Sequence, residues 1–393
     1  MFYNYSESQI NQSEKPIIMS DIQAMDSFDK MGLSDDILRG IHAKGYEKPT
    51  EIQESAIPIL LESRDLIAQA QSGTGKTAAF VLGCLSKIDV RNRNPQALIL
   101  VDTNFLAQQI FQETNKLTAY MKDFKSSCFV GGRHARLDKD ELKQPVHLVV
   151  GTPGRIEQLV REKALRLDSL RILIIDEADK MLSEKGISDS IERIFSMAVP
   201  KDTQVAIFSA TMKNEIVNTA EQFMRDPVRL LLHRKDVVVT AIQQYFVRVE
   251  EQDKLDVLCD LCEEMCDRTT MVFCNKKSCV EEVASIMKER GFSVAAIHSD
   301  HTPHEKDATL SQFKEFKVRI LITTDSLARG IDIQQVSLVI NHDYPRDHAS
   351  YIHRIGRAGR FGRKGSAINL LSPRDTHTHD TLEKFYDIHF QSM

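Results

Sequence analysis

Eight consecutive residues, Ala70-Gln71-Ser72-Gly73-Thr74-Gly75-Lys76-Thr77, carry the first recognisable chemistry in this chain. Small residues let the backbone curl so that successive N–H groups point inward, the arrangement that cradles phosphate. Lys76 supplies a cation for β and γ phosphates, and the Thr77 hydroxyl can ligate Mg²⁺. Ala70 stands where the general pattern has its first glycine. A Gly/Ser-rich turn would explain the composition, but not a Gly-Lys-Thr ending set between an apolar run and a helical pattern. Further on, Asp176-Glu177-Ala178-Asp179 closes the apolar run Ile172 to Ile175. Carboxylates at the carboxyl end of a buried strand sit where ligands bind in such sheets. Asp176 is placed to hold Mg²⁺, and Glu177 to orient and deprotonate water. Alone, these acids read better as a helix start favoured by the dipole. Paired with the phosphate loop, they predict an NTPase.

Groups so far apart in sequence need a scaffold to bring them together. Near-continuous apolar runs at 65–68, 97–101, 147–150, 171–175 and 205–208 read as strands buried on both faces of a parallel sheet. A second series follows at 271–274, 294–297, 320–322, 338–340 and 367–370. The charged stretch around His233-Arg234-Lys235-Asp236 has no apolar period and is the expected hinge. The expected organisation is a flexible tail over 1–27, a first domain over 28–232, a linker over 233–239 and a second domain over 240–393. The fold class is α/β.

At 393 residues the chain fits two domains, and 42% hydrophobic with 27% charged residues is a globular balance. No run approaches the ~20 apolar residues a membrane span needs. The opening residues show neither a secretory nor a mitochondrial leader pattern. A net charge of -5 means that any nucleic-acid contact must be local. Seven cysteines without framework spacing suit a reducing compartment. Cys259, Cys262 and Cys266 invite a zinc reading, but they extend the stripe begun by Leu255 and Leu258. Helix packing is the better reading.

Together, the phosphate loop and the literal D-E-A-D sequence resemble the DEAD-box RNA helicases of superfamily two, from Phe28 to the end of the chain. The resemblance implies two tandem RecA-like domains, each a mostly parallel sheet flanked by helices, and an enzyme that hydrolyses ATP to bind, remodel and locally unwind RNA. Phe28, with Gly45-Tyr46-Glu47-Lys48-Pro49-Thr50-Glu51-Ile52-Gln53, resembles the family's Q motif. There an aromatic stacks on adenine and a glutamine reads its edge; a core role for Phe28 is the alternative. Ser209-Ala210-Thr211 is similar to the SAT motif that couples hydrolysis to strand separation, its hydroxyls within reach of Asp179. In the second half, Ala328-Arg329-Gly330-Ile331-Asp332 and His353-Arg354-Ile355-Gly356-Arg357-Ala358-Gly359-Arg360 match the family. The resemblance makes Asp332 a ribose contact, His353 a coupling residue, and Arg357 and Arg360 an arginine finger on the γ-phosphate. A solvated basic face would account for the arginines but not for the interleaved His and Gly. Segments such as Gly359-Arg360-Phe361-Gly362-Arg363-Lys364-Gly365 are similar to the translation initiation factor 4A branch. That implies a cytoplasmic monomer with a translation-initiation scaffold as partner; nuclear paralogues are also similar.

Family members grip single-stranded RNA by its backbone, without sequence choice. The matching positions are Thr103, Gly131, Gly132, Thr152 and Arg155 in the first half, and Asn275, Thr323 and Asp325 in the second. A Pro-Gly turn would by itself explain Thr152 to Arg155. The chain departs from the family in three places. Pro-Thr-Arg-Glu-Leu reads Asp102-Thr103-Asn104-Phe105-Leu106, which loses an arginine and places Asp102 near the expected RNA path. His-Gly-Asp reads His298-Ser299-Asp300, and a following arginine is Lys306. Lys276 stands where the family has threonine. The expectation is intact ATP chemistry with a weakened RNA grip. Its rivals are a nucleotide-dependent RNA clamp that barely unwinds, a small-molecule NTPase and a DNA helicase.

Overall fold

The computed structural model describes residues 25–71, 73–231, 242–325, 336–359 and 365–393. Residues 1–24 of the expected tail, the expected linker, and three expected site residues (Ser72, Asp332 and Arg360) lie outside the described residues.

The first sheet comprises β1 (Leu66–Gln69), β2 (Ala97–Leu100), β3 (Ser126–Phe129), β4 (Leu148–Gly151), β5 (Ile172–Ile175), β6 (Gln204–Ser209) and β7 (Val228–Leu230). Its order is β3-β4-β2-β5-β6-β1-β7, and each neighbouring pair is parallel. The second comprises β8 (Ile242–Arg248), β9 (Thr270–Phe273), β10 (Val294–Ile297), β11 (Ile320–Thr323), β12 (Leu338–Asn341), β13 (Gly365–Leu371) and β14 (Gln391–Ser392). Its order is β10-β11-β9-β12-β13-β8-β14, again parallel throughout. Two parallel sheets flanked by helices are the tandem RecA-like architecture that the resemblance implied.

Every expected apolar run is a strand. The strands that pattern reading passed over are β3, β7, β8 and β14, at or near the sheet margins. There one face is less covered, so β3 reads Ser-Ser-Cys-Phe with only alternate residues buried. In the central strands successive side chains enter opposite cores. Ala97 and Ile99 join one apolar cluster of the first sheet, Leu98 and Leu100 the other. Val272 likewise points to one side of the second sheet, Met271 and Phe273 to the other. Each buried aliphatic side chain contributes about 1.5–3 kcal/mol, enough to fix strand register.

Cys259 and Cys262 lie in the second core, on the helix Lys254–Glu264, while Cys266 is exposed. That arrangement is helix packing. No helix of the described residues is long and apolar enough to cross a membrane.

Candidate active site

Parallel pairing brings the carboxyl ends of β1, β5 and β6 side by side. The Ala70 N–H donates to the Ser209 carbonyl (3.0 Å), so the phosphate loop leaves β1 tied to the end of β6. Within the loop, Gly73 and Gly75 have φ of 81° and 97°. A Cβ on Gly75 would also lie 2.4 Å from Gln53 Nε2, so only glycine fits there. The Thr74 hydroxyl donates to the Gln71 carbonyl (2.7 Å) and pins the turn. Lys76 opens the helix Lys76–Leu85 with Thr77 half-buried beside it. The Lys76 Nζ is buried and has no hydrogen-bond partner among the described residues.

Facing it, at the end of β5, Asp176 and Glu177 are 3% and 5% exposed. Burial, and then the neighbouring Glu177 carboxylate, push Asp176 up to about 7 against the opposing pull of Lys76. Glu177 is held at φ 52°, the left-handed region that a side-chain-bearing residue enters only at a cost. A buried ammonium without a partner, a glycine-only cradle and two crowded carboxylates fit a triphosphate with Mg²⁺. Asp102 is a correction. Its side chain is buried and pairs with Lys180 Nζ (2.9 Å), and its charge adds to the push on Asp176. Its charge is therefore already matched by Lys180 and is not a free anion toward RNA.

The two lobes meet across this edge. Asp179 Oδ2 accepts a hydrogen bond from the Thr211 hydroxyl (2.7 Å) and lies 2.8 Å from Nε2 of the buried His353, on the second lobe's helix His348–Ile355. His353 Nδ1 lies 3.8 Å from Glu177 Oε2. One imidazole thus spans both carboxylates. Of the two hydroxyls expected at Asp179, only Thr211 reaches it; Ser209 Oγ accepts from the Thr211 N–H (3.3 Å). Arg357 is 2% exposed, with Nε donating to the His353 carbonyl (3.1 Å). Arg354 is fully buried and donates to Asp325 (2.5 and 2.9 Å), Asn341 (3.2 Å), the Asp343 carbonyl (2.7 Å) and Asn275 (2.7 Å). Neither arginine forms a solvated basic face.

Several expected contacts are placed differently. Phe28 is 1% exposed inside the first core, so no ring face is free for adenine and its role is packing. Gln53 Oε1 accepts from the Thr50 N–H (3.0 Å), and its Nε2 donates to the Gly75 carbonyl (3.1 Å). One amide proton and one lone pair remain for a base edge. Thr103 caps the helix Asn104–Leu117, accepting from the Leu106 N–H (3.2 Å). The Arg155 guanidinium turns inward to Asp138 and to the Arg133 carbonyl, which corrects its expected phosphate role. Thr323 is fully buried, its hydroxyl donating to the Ile297 carbonyl (2.8 Å); Thr324, the next residue, is the one that reaches the surface. Asn275 is committed to the Tyr344 carbonyl (2.7 Å) and to Arg354, and Asp325 to Arg354. Tertiary packing and nearby hydrogen-bond partners decide these outcomes, and a motif match cannot see them.

Thr103, Gly131, Gly132 and Thr152 still gather at the carboxyl ends of β2, β3 and β4, next to the phosphate half of the same edge. Asn104 Nδ2 donates to the Gly131 carbonyl (2.9 Å), and the Thr152 N–H to the Phe129 carbonyl (3.2 Å). Pattern reading gave Phe105 no role, yet it packs against the second lobe's apolar cluster. Lys314 Nζ sits 5.5 Å from its ring centre.

Residues 50–219 match the family described as DEAD/DEAH box helicase, and 253–362 match the helicase conserved C-terminal domain. The chain is 43% identical to the ATP-dependent RNA helicase eIF4A of Schizosaccharomyces pombe, over 98% of each chain. It is 43% identical to Eukaryotic initiation factor 4A of Drosophila melanogaster, over 94% of this chain and 92% of the relative. Among solved structures, S. cerevisiae Dbp5 bound to RNA and ADP BeF3 superposes with a TM-score of 0.88 at 36% identity, over 94% of this chain and 96% of the other.

Proposed function

Since the chain belongs to the DEAD/DEAH box helicase family, we propose that it is an RNA helicase that hydrolyses ATP to open short RNA duplexes in translation initiation. The observation that carries the mechanism is the single carboxylate of Asp179, held at once by Thr211 and by His353 of the opposite lobe. Hydrolysis chemistry on the first lobe is thereby wired to the position of the second.

Lys76 stabilises charge on the β and γ phosphates, and Gln53 reads the base with its remaining donor and acceptor. Thr77 and Asp176 would hold Mg²⁺, which supplies neutralisation of the phosphate oxygens. Glu177 accepts the proton of the attacking water. Arg357 and Arg360 act as the arginine finger, which in related NTPases is worth about 10³–10⁵ in rate. Asp332 serves as the ribose contact. RNA runs along the carboxyl edges of both sheets, past Gly131, Gly132, Thr152, Thr324 and Asp325, its backbone followed without sequence choice. The enzyme works as a monomer in the cytoplasm with an initiation scaffold as partner; of that setting, the relatives' names carry the initiation role alone. The domains are 28–232 and 240–393.

With the Asp102 charge paired by Lys180, Asn104 in place of arginine is the main reason to expect a weaker RNA grip. ATPase measured with and without single-stranded RNA, beside strand release from a short duplex, tests the proposal. RNA-stimulated turnover with strand release supports it. Stimulated turnover without release identifies a clamp, and turnover indifferent to RNA refutes the RNA-dependent mechanism.

A further inference from the structure

The second lobe contains a donor cluster that the helicase machinery does not use. Phe273 at the end of β9 is in register with Asn341 at the end of β12, so the next residues, Cys274 and His342, emerge side by side. Asp343 follows His342, and the first turn of the helix Lys277–Glu289 brings Cys279 onto the same spot. One donor atom from each of Cys274, Cys279, His342 and Asp343 lies within 4.8 Å of every other. The Cys279 Sγ is 3.8 Å from His342 Nδ1, and that nitrogen is 3.2 Å from Asp343 Oδ1. A tetrahedral zinc ion with ordinary bond lengths has donor–donor edges of about 3.3–3.8 Å. The Cys279–His342 and His342–Asp343 edges are already close to that figure.

We propose that Cys274, Cys279, His342 and Asp343 form a structural zinc site at the carboxyl edge of the second sheet. Two sulfurs, an imidazole and a carboxylate are a borderline-soft set, which favours zinc over magnesium or calcium. Both cysteines are free thiols, Cys274 buried and Cys279 half-buried. Asp343 is preset for the role. Its Oδ2 accepts from the Asn275 N–H (2.8 Å), which leaves Oδ1 facing the cluster, and Arg354 holds the Asp343 carbonyl. The ion would staple β9, β12 and the intervening helix together next to Asn275 and Arg354, on the side of the lobe that meets the first.

The test uses full-length protein purified without chelator, reconstituted with Zn²⁺ and desalted, its zinc content measured by elemental analysis. Wild type is expected to retain about one zinc per chain; Cys279→Ser and His342→Asn are expected to lose it, and Cys266→Ser to keep it. Co²⁺ in place of Zn²⁺ should give a near-ultraviolet thiolate-to-metal band that disappears in Cys279→Ser. Circular dichroism of each variant confirms folding, so that loss of metal is not loss of structure. Wild type without bound zinc, or a cobalt thiolate band that survives in folded Cys279→Ser, overturns the assignment. So does a Cys274–Cys279 disulfide found by mass spectrometry in the native protein.

Discussion

Replacing Phe105 by alanine should loosen the closed arrangement of the lobes while leaving each lobe folded. The ring belongs to the first lobe but is partly buried against the second lobe's cluster containing Leu310 and Phe313. Fully burying a phenylalanine contributes roughly 1.5–3 kcal/mol, so a partly buried ring contributes about 1–1.5 kcal/mol. The Lys314 ammonium over the ring adds about 0.5 kcal/mol. These contacts are made between lobes, so their loss acts on the closed state alone. The expected effect is a roughly 10-fold or somewhat larger fall in the closed-to-open ratio, since about 1.4 kcal/mol corresponds to a factor of ten. Phe105→Glu, which restores the residue of the family's own segment, should fall at least as far. Fluorescence transfer between dyes on the two lobes reads the closed fraction with nucleotide and RNA, and the RNA concentration for half-maximal ATPase should rise in parallel. A double-mutant cycle with Lys314→Ala isolates the ring–ammonium part. An unchanged closed fraction in Phe105→Ala, with unchanged melting, would show that the apolar contact does not bias closure.

Lys76→Met should abolish ATP turnover, falling by at least about 10²-fold because no other described ammonium stands in the phosphate loop; phosphate release under saturating RNA checks it. Arg354→Lys cannot satisfy Asp325, Asn341, Asn275 and the Asp343 carbonyl together, and should cost about 3 kcal/mol, read as a lower melting temperature of the second lobe. The pH prediction concerns Glu157, lowered chiefly by its hydrogen bond from Arg193, with contacts of 2.8 and 3.1 Å. A depressed carboxyl stabilises the fold above its unfolded value and loses that contribution as pH falls through its folded value. With Arg193 half-exposed, the gain is about 0.5–1 kcal/mol. Wild type should therefore exceed Glu157→Gln in stability at pH 7 and converge with it below about pH 4 in denaturant titrations; a constant gap would contradict the assignment.

The phosphate loop, the acidic cluster and the central strands were legible in the sequence because each depends on local requirements. Glycine is needed at positive φ in the loop, charge is needed at a strand's end, and unbroken apolar runs are needed where both sheet faces are covered. The motif order also announced two lobes sharing one site, and His353 does meet Asp179. What the sequence could not decide is which way each neighbouring side chain turns. Thr323 closes a strand buried on both faces, while Thr324, the first residue past its end, reaches the surface. Phe28 was drawn into the apolar core, and Arg155 was claimed by Asp138. Asp102 looked like an intruder on the RNA path until the fold put Lys180 beside it. The cysteines gave the same lesson. The trio crowded on one helix is packing, whereas the cluster of metal-ligand type joins residues as far apart as Cys274 and Asp343. Register between β9 and β12 creates that proximity, and pairing between distant strands is a property of the folded sheet, which local composition does not encode.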